Sequence, residues 1–241
     1  MVLTEAGKIV YASALEHRAI EHNLVQELGA LEDERPALRV GMIDSVAALL
    51  TTKNEPLYTL EHKTELGLIV TNSSSLRSSL VRDKLDMVIV VADEDLDRGV
   101  RLLASGADRL VLVCRSDQTK AFQTSIDSSS QLPFISYMQD SKTYQMVISV
   151  LQNCKIRTNT VLYSTSPDIM LDMVRRGRGA AVLPERLVHD DIETGVIEKL
   201  RTNGNPVSVQ RRLSIITLKG RQLPAVTANL VRFFGQELRE Y

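Results

Sequence analysis

The sequence predicts an α/β fold in which strands lie buried between helices. Short apolar, β-branched segments alternate with helical segments along most of the chain, which is typical of parallel sheets built from βαβ units. The connections between the segments are short. Hydrophobic residues make up 44% and charged residues 24% of the 241 residues, so the chain can bury a core.

The first segment predicts one long helix that begins after Thr4 and ends before Pro36, because proline disfavours helical geometry at the residue before it. Residues on one side of this helix recur at steps of three and four: Val10, Ala14, His17, Ile20, Leu24, Leu28 and Leu31. Such a narrow stripe favours pairing with a helix of another subunit. The alternative is that the stripe packs on its own domain.

The strands follow after Pro36. We predict strands over residues 38–42, 66–70, 87–91, 109–114, 133–136, 160–165 and 180–183, and a β-prone stretch over 206–218. Helices are predicted from residue 45 to about 50, and over 74–83, 140–153 and 224–240. A further helix begins with Ser166 as its cap and Pro167 as its first residue, and Gly177 ends it.

The charge balance excludes a self-sufficient nucleic-acid-binding protein. Lys and Arg number 29 against 30 for Asp and Glu, a net charge of −1, whereas DNA-binding domains carry a basic surplus. The first helix is itself acidic, with seven acidic and two basic residues between Thr4 and Glu34. We therefore expect that this chain does not bind DNA on its own.

The spacing of the cysteines and the first residues of the chain predict the cellular compartment of the protein. Cys114 and Cys154 lie far apart and show no metal-binding spacing, which is typical of a reducing cytosol. No basic and apolar leader begins the chain, and no apolar run approaches the ~18 residues of a membrane span. We expect a cytoplasmic protein with no membrane partner and no metal.

Polar side chains follow several of the predicted strands. Because ligands of an open α/β sheet bind beyond the carboxyl ends of its strands, we expect these residues to contact a ligand. They are Ser45, Asn72, Ser73, Ser136, Thr165 and Ser166. Hydroxyls, an amide and helix N-termini suit a small polar or anionic molecule. The alternative is that Ser45, Ser73 and Ser166 only cap their helices, and for Ser166 this is at least equally favoured.

The sequence offers no catalytic constellation. His17 and His22 are five residues apart on a helix, about 140° around its axis, so they cannot share a metal. The Gly-Arg-Gly segment at 177–179 follows a helix and precedes a strand, the wrong order for phosphate binding. We predict a protein that is not an enzyme, with no catalytic residue and no cofactor.

Several motifs resemble the effector-binding domain of LysR-type transcriptional regulators. The segment LTEAG at 3–7 resembles the link between the winged helix-turn-helix and the linker helix of that family. Residues 38–41, with Ser45 after them, resemble its first strand and ligand-facing hydroxyl. KLD at 84–86 resembles the turn before its second sheet strand, and DIMLDMVRRGRGAAVLP at 168–184 resembles its helix–Gly–strand motif. The resemblance spans nearly the whole chain.

The resemblance implies two Rossmann-like lobes of the periplasmic-binding-protein type, joined by two crossover strands and preceded by a long linker helix. We expect the linker and dimerisation helix at 1–35, lobe I at 36–112 plus 216–241, and lobe II at 113–215. The segment 51–65 departs from the family, because it lacks the phenylalanine-rich helix and following Tyr-Pro of many members. The two cysteines do not match those of the redox-sensing members, which argues against a peroxide switch.

The resemblance also implies a function. It favours a sensor that binds a small-molecule effector between its lobes and forms a homodimer or homotetramer, with Ser45 and Ser73 as ligand contacts. Promoter DNA would bind through an N-terminal winged helix-turn-helix, which we expect to be missing because this is a truncated or isolated regulatory domain. Two alternatives share the bilobal fold: a solute-binding protein of a transporter, and an enzyme such as a phosphoribosyltransferase or prephenate dehydratase.

Overall fold

The structure is a computed structural model that describes residues 3–30, 37–52, 65–91, 98–225 and 227–237. The chain divides into two compact units. Unit 1 contains residues 1–106 and 212–240, and unit 2 contains residues 107–211. Two long strands, β4 (Val100–Arg115) and β11 (Ser208–Leu218), carry the chain out of unit 1 and back. Both boundaries lie several residues before the 112/113 and 215/216 junctions expected from the sequence.

Unit 1 is built on a mixed sheet. Its other described elements are α1 (Glu5–Ala30), β1 (Ala37–Met42), α2 (Asp44–Thr52), β2 (Glu65–Val70), α3 (Ser73–Val81), β3 (Met87–Val91) and α8 (Thr227–Glu237). Strand β1 lies between β2 and β3, parallel to both, and β11 pairs with β3 in the antiparallel direction. Helix α3 lies very close to β1: a Cβ atom on Gly41 would be 2.6 Å from the side chains of Leu76 and Leu85.

Helix α1 packs on unit 1 through one face only. The Thr4 hydroxyl accepts a hydrogen bond from the Gly7 N–H at 3.1 Å, as the predicted cap requires. Leu15 and Ala19 are buried, and Asn23 bonds the backbone that follows β11. These residues recur at steps of four, so they form a contact face of their own. The apolar stripe predicted from the sequence lies elsewhere on the helix, and its described Val, Ile and Leu residues are exposed: Val10, Ile20, Leu24 and Leu28.

Unit 2 is also built on paired strands flanked by helices. Its elements are α4 (Thr119–Asp127), β5 (Leu132–Tyr137), α5 (Lys142–Asn153), β6 (Thr158–Ser164), α6 (Pro167–Arg175), β7 (Ala180–Pro184), α7 (Glu185–Glu193), β8 (Ile197–Lys199), β9 (Arg201–Thr202) and β10 (Asn205–Pro206). Strand β5 is parallel to β6 and β7, and β4 is antiparallel to β7 and β8. An apolar core fills the unit, with Phe134, Val147 and Val174 fully buried.

The local signals of helix α6 act as predicted. Ser166 caps the helix, and Pro167 opens it. Gly177 has φ +68°, a left-handed conformation that favours glycine, and its N–H bonds the Val174 carbonyl at 2.8 Å. Helices α4 and α7 were not predicted. Helix α7 follows β7 directly, and its N-cap residue, Pro184, makes no side-chain cap bond.

The prediction about the segment 51–65 lies mostly outside the described residues, because 53–64 are not described. Leu31 of the predicted stripe is likewise not described. Within the described part of the chain, no helix has the length and apolar character needed to cross a membrane.

Candidate functional site

The carboxyl ends of β1, β2 and β3 lie at one edge of the sheet in unit 1, because the three strands run in the same direction. Ser45 stands in the first turn of α2, just beyond β1, and Asn72 and Ser73 stand at the start of α3, just beyond β2. The Thr71 N–H bonds the Met42 carbonyl at 3.2 Å, which ties the two strand ends together. Three of the six predicted site residues therefore share this edge.

Two of these three residues hold the local backbone. The Asn72 side chain accepts hydrogen bonds from the Ser75 N–H at 2.9 Å and the Ser74 hydroxyl at 2.8 Å, so it caps α3. The Ser73 hydroxyl is buried and accepts a hydrogen bond from the Val91 N–H at 3.2 Å, which joins α3 to the end of β3. Ser45 is half-buried.

The edge of unit 2 carries two buried hydroxyls, at the end of β5. Ser136 is 1% exposed and Tyr137 is 6% exposed, and they are the last two residues of β5. Neither the Ser136 Oγ nor the Tyr137 hydroxyl has a partner among the described residues. Their side chains leave opposite faces of the sheet, because successive strand residues alternate. A buried hydroxyl without a partner costs about 1–3 kcal/mol, so each is an expected point of ligand or water contact.

The other two predicted residues of unit 2 lie beyond β6, the neighbouring parallel strand. Thr165 is exposed. Ser166 is the cap of α6, and its hydroxyl accepts a long hydrogen bond from the Ile169 N–H at 3.5 Å. The Ser164 hydroxyl accepts from the Ser166 N–H at 3.1 Å and fixes the turn. The capping role considered for Ser166 is therefore present.

A buried charged cluster lies at the same edge of unit 2. The Asp108 carboxylate bonds Arg186 at 2.8 Å and Arg211 at 2.6 Å, and Arg211 also donates to the Thr143 hydroxyl at 2.9 Å. Thr143 and Arg186 stand in the first turns of α5 and α7, which follow β5 and β7. Two guanidinium groups thus surround one buried carboxylate in this cluster. Burial raises the pKa of the neighbouring Tyr137, so this hydroxyl stays protonated.

In unit 1, a second ionic cluster forms around Asp83 and Asp86. Arg39 and Arg221 both bond the Asp86 carboxylate, at 2.8 and 2.7 Å, and Arg221 also pairs with Asp83. His22 of α1 lies 3.4 Å from Asp86. His22, Asp83 and Asp86 together have the spacing of metal ligands, but two guanidinium groups already engage the carboxylates. The geometry favours an ion-pair network.

The Cys114 thiol is not arranged for redox chemistry. Burial raises the pKa of the Cys114 thiol to about 11, and its sulfur lies 3.6 Å from the Thr119 hydroxyl. The thiol is therefore protonated at neutral pH, whereas a reactive cysteine is a thiolate. Cys154 is half-buried at the end of α5.

Residues 32–239 match the family described as the LysR substrate binding domain. The chain belongs to this LysR family. No curated protein sequence matches it, but solved LysR domains share its fold. The regulatory domain of HypT from Salmonella typhimurium, bound to a bromide ion, is 16% identical, with a TM-score of 0.67, and the match covers 85% of this chain and 98% of that domain.

Two further solved structures extend the comparison. The CcmR regulatory domain from Synechocystis PCC6803, in complex with 2-PG, is 19% identical, with a TM-score of 0.62 over 85% of this chain and 98% of that one. DarR from Vibrio fischeri, in complex with DNA, is 16% identical, with a TM-score of 0.64 over 94% of this chain and 77% of that one. These likenesses confirm the predicted two-lobed LysR fold.

Sequence reasoning missed the charged cluster of this LysR domain. A signal was available, because burial alternates along β11: Val209, Arg211 and Leu213 point inward, and Gln210 and Arg212 point outward. Alternation of side chains over residues 209–213 places Arg211 on the buried face of the strand. The partner of that arginine could not be found in the same way, because Asp108 lies on a different strand, about a hundred residues earlier.

Proposed function

We propose that this chain is the effector-sensing domain of a LysR-type transcriptional regulator and that it binds a small polar or anionic metabolite at the carboxyl edges of its sheets. The observation that carries the proposal is the buried Ser136 hydroxyl at the end of β5, which has no partner among the described residues. A ligand hydroxyl or carboxylate at this edge would satisfy the Ser136 hydroxyl and recover its desolvation cost.

The charges at the edge of unit 2 favour an anionic group on the ligand. Arg186 and Arg211 place two guanidinium groups around the Asp108 carboxylate, in surroundings where charge acts more strongly than in water. The Tyr137 hydroxyl, held protonated by burial, is a hydrogen-bond donor to an anion. Two relatives with this fold have been solved with a bromide ion and with 2-PG, which supports the same ligand class.

Regulation would follow from a shift between two arrangements of the protein, and the effector would act through its different affinity for the two. Helix α1 would act as the linker to a DNA-binding domain, through which the regulator would bind its promoter, in the cytoplasm, as a homodimer or homotetramer. DarR, with a longer chain of the same fold, has been solved on DNA.

A non-catalytic role also agrees with the chemistry of the buried groups. The Cys114 thiol and the Tyr137 hydroxyl both have raised pKa values, so neither is poised as a nucleophile or base near neutral pH. Among the described residues, the buried ionic groups of both clusters are engaged in ion pairs rather than aimed at a reactive centre.

Thermal-shift screening against a library of small metabolites tests the proposal, because a ligand of the folded state raises the melting temperature. We expect at least one polar or anionic compound to raise it. Calorimetry should then show that Ser136→Ala and Ser45→Ala each weaken its binding about five- to tenfold, by the loss of one hydrogen bond. Ser130→Ala, an exposed serine outside the site, is the matched control.

Two results would contradict the proposal. The first is a library in which no compound stabilises the protein. The second is a stabilising compound whose affinity is the same for the wild-type protein and for both site variants, with all proteins shown to be folded by circular dichroism.

A further inference from the structure

A separate pocket lies entirely within unit 1, away from the strand ends described above. It has a volume of about 690 Å³ and is formed by the first part of β4, the loop after β11 and the first two turns of α8. A volume of this size accommodates a small organic molecule. None of the predicted site residues lines it.

Among the residues that the structure describes, the charged ones that line this pocket are Arg101, Arg221 and Arg232. Arg221 has its charge offset by Asp83 and Asp86, whereas Arg101 donates to a neutral group, the Arg221 carbonyl, at 3.1 Å. Arg232 is exposed on α8. The first turn of α8 adds the positive end of a helix dipole. The pocket therefore presents a positive potential to a ligand.

The remaining walls are largely apolar and include Leu103, Leu223, Pro224 and Val231. Two buried polar atoms at the pocket residues have no partner among the described residues: the Thr227 hydroxyl and the Arg221 Nε. Thr227 is 3% exposed and Arg221 is 1% exposed. Apolar walls with a few positive and hydrogen-bonding groups suit a molecule with one anionic end and an apolar body.

We propose that this pocket is a second ligand site, which binds a small carboxylate with an apolar body. Its carboxylate would lie between Arg101 and Arg232, and its apolar part against the leucine, proline and valine walls. Binding at this site does not depend on the proposed effector function, whereas any regulatory consequence rests on it.

The pocket is connected directly to helix α1. The Asn23 side chain donates to the Gly220 carbonyl at 2.9 Å and accepts from the Gln222 N–H at 2.9 Å, and both residues line the pocket. Arg221, between them, bonds the acidic cluster that His22 of α1 contacts. A ligand that orders the loop at 220–222 would therefore also order α1, the element expected to lead to the DNA-binding domain.

Isothermal titration calorimetry with benzoate tests the site, because benzoate joins a carboxylate to an apolar ring. We expect benzoate to bind, and inorganic phosphate and benzyl alcohol to bind at least tenfold more weakly, since each lacks one half of the chemistry. Arg101→Gln and Arg232→Gln should each weaken benzoate binding about tenfold, by removal of a charged hydrogen bond. Arg178→Gln, which removes an exposed arginine in unit 2, should not.

The site variants separate the two proposals. No benzoate binding, or binding unchanged by both pocket variants, overturns the second site. Binding weakened by Ser136→Ala alone assigns benzoate to the edge of unit 2, which overturns the second site and leaves the proposed function standing. With the pocket occupied, hydrogen exchange at residues 19–23 of α1 should slow, and the Arg232→Gln variant should lose this protection.

Discussion

Each unit contains buried charged side chains, and the ion pairs that they form affect its stability. In unit 2, the Asp108 carboxylate faces Arg186 and Arg211, and all three side chains are less than a tenth exposed. Removing one partner of such a group leaves uncompensated charge in a region of low dielectric, which is far more costly than losing a surface ion pair. The cluster also joins β4 and β11 to the first turns of α5 and α7, so it holds four elements of unit 2 together.

We expect Asp108→Asn to lower the free energy of unfolding by about 3–5 kcal/mol, because two buried guanidinium groups lose their carboxylate. Urea denaturation followed by circular dichroism measures this change. Asp172→Asn is the matched control, because it removes the carboxylate of an exposed pair with Arg176 and should have no measurable effect. Equal stability of the Asp108 variant and the control would show that the buried cluster contributes little.

In unit 1, His22 links α1 to an acidic cluster. Burial lowers the pKa of His22, and Arg221 and Arg39 lower it further, against the opposite effect of Asp86 and Asp83. Burial alone would raise the pKa of Asp86, but hydrogen bonds from Arg39 lower it below its usual value. The folded state therefore favours a neutral His22 imidazole beside an ionised Asp86 carboxylate.

A prediction about pH follows from the lowered pKa of His22. Above about pH 6.5 the imidazole is neutral in both the folded and unfolded states and has no effect. As pH falls below that value, the unfolded state takes up the proton first, so the folded state loses stability. We expect His22→Gln to reduce the loss in urea midpoint between pH 7.5 and 5.5. His17→Gln, on the exposed side of α1, should leave the loss unchanged.

If the wild-type protein and the His22 variant lose stability equally over this range, the inference that His22 is buried in its neutral form is wrong. The comparison between variants removes the contribution of the other titrating groups. Asp86 loses its own contribution only at a lower pH, as the pH falls below about 4, because its pKa is lowered.

At the scale of elements, α1 has two different apolar faces. One face, with Leu15 and Ala19, packs on unit 1, and the Leu15 side chain lies against Gly99 so closely that a Cβ there would be 2.6 Å from it. The other face is exposed, with Ile20, Leu24 and Leu28 each more than half exposed. A row of large apolar residues in water is typical of a surface that pairs with another helix.

We expect this exposed face to pair two copies of the chain. Sedimentation analysis should show a dimer or larger species, and Leu24→Glu should shift it toward monomer while the melting temperature of unit 1 changes little. Ile169→Glu, which alters an apolar residue 55% exposed in unit 2, is the matched control and should not dissociate the assembly. A wild-type protein that stays monomeric at high concentration would contradict the pairing role.

At the scale of the whole molecule, charge decides what the chain can bind. The net charge is −1, and the described part of α1 is acidic, so the chain offers no general surplus for phosphate contacts. The arginines of the second pocket line one small cavity and not a groove that could hold a DNA duplex. Recognition by this part of the regulator is therefore expected to involve small molecules.

We expect the chain alone to give no shift of promoter DNA in a gel assay at about 100 mM salt, because too few counterions would be released. The same DNA with a basic DNA-binding protein serves as the positive control. A shift by this chain that weakens as salt rises would contradict this account, and would assign a nucleic-acid surface to the domain itself.

The order and type of most elements could be predicted from the sequence because the signals are local. Hydrophobic periodicity identified strands β1 to β7 and β11, whereas the short strands β8 and β9 were not predicted. Thr4, Ser166 and Gly177 mark helix ends through bonds that span three residues. The motifs that indicated the LysR family are of the same kind. Ser45, Asn72 and Ser73 could likewise be placed at one strand edge, because parallel strands bring their carboxyl ends together.

Only the tertiary structure decided which of these groups are partnered. It engages Asn72 and Ser73 in backbone bonds and joins Asp108 to Arg211 across about a hundred residues. Within the described part of the chain, it gives the Ser136 hydroxyl no partner. It also brings Arg101, Arg221 and Arg232 to one pocket. Such contacts between side chains depend on strand register and on how distant segments pack, and no local sequence pattern encodes them. The sequence therefore determined the fold and the family, and packing determined the chemistry of the sites.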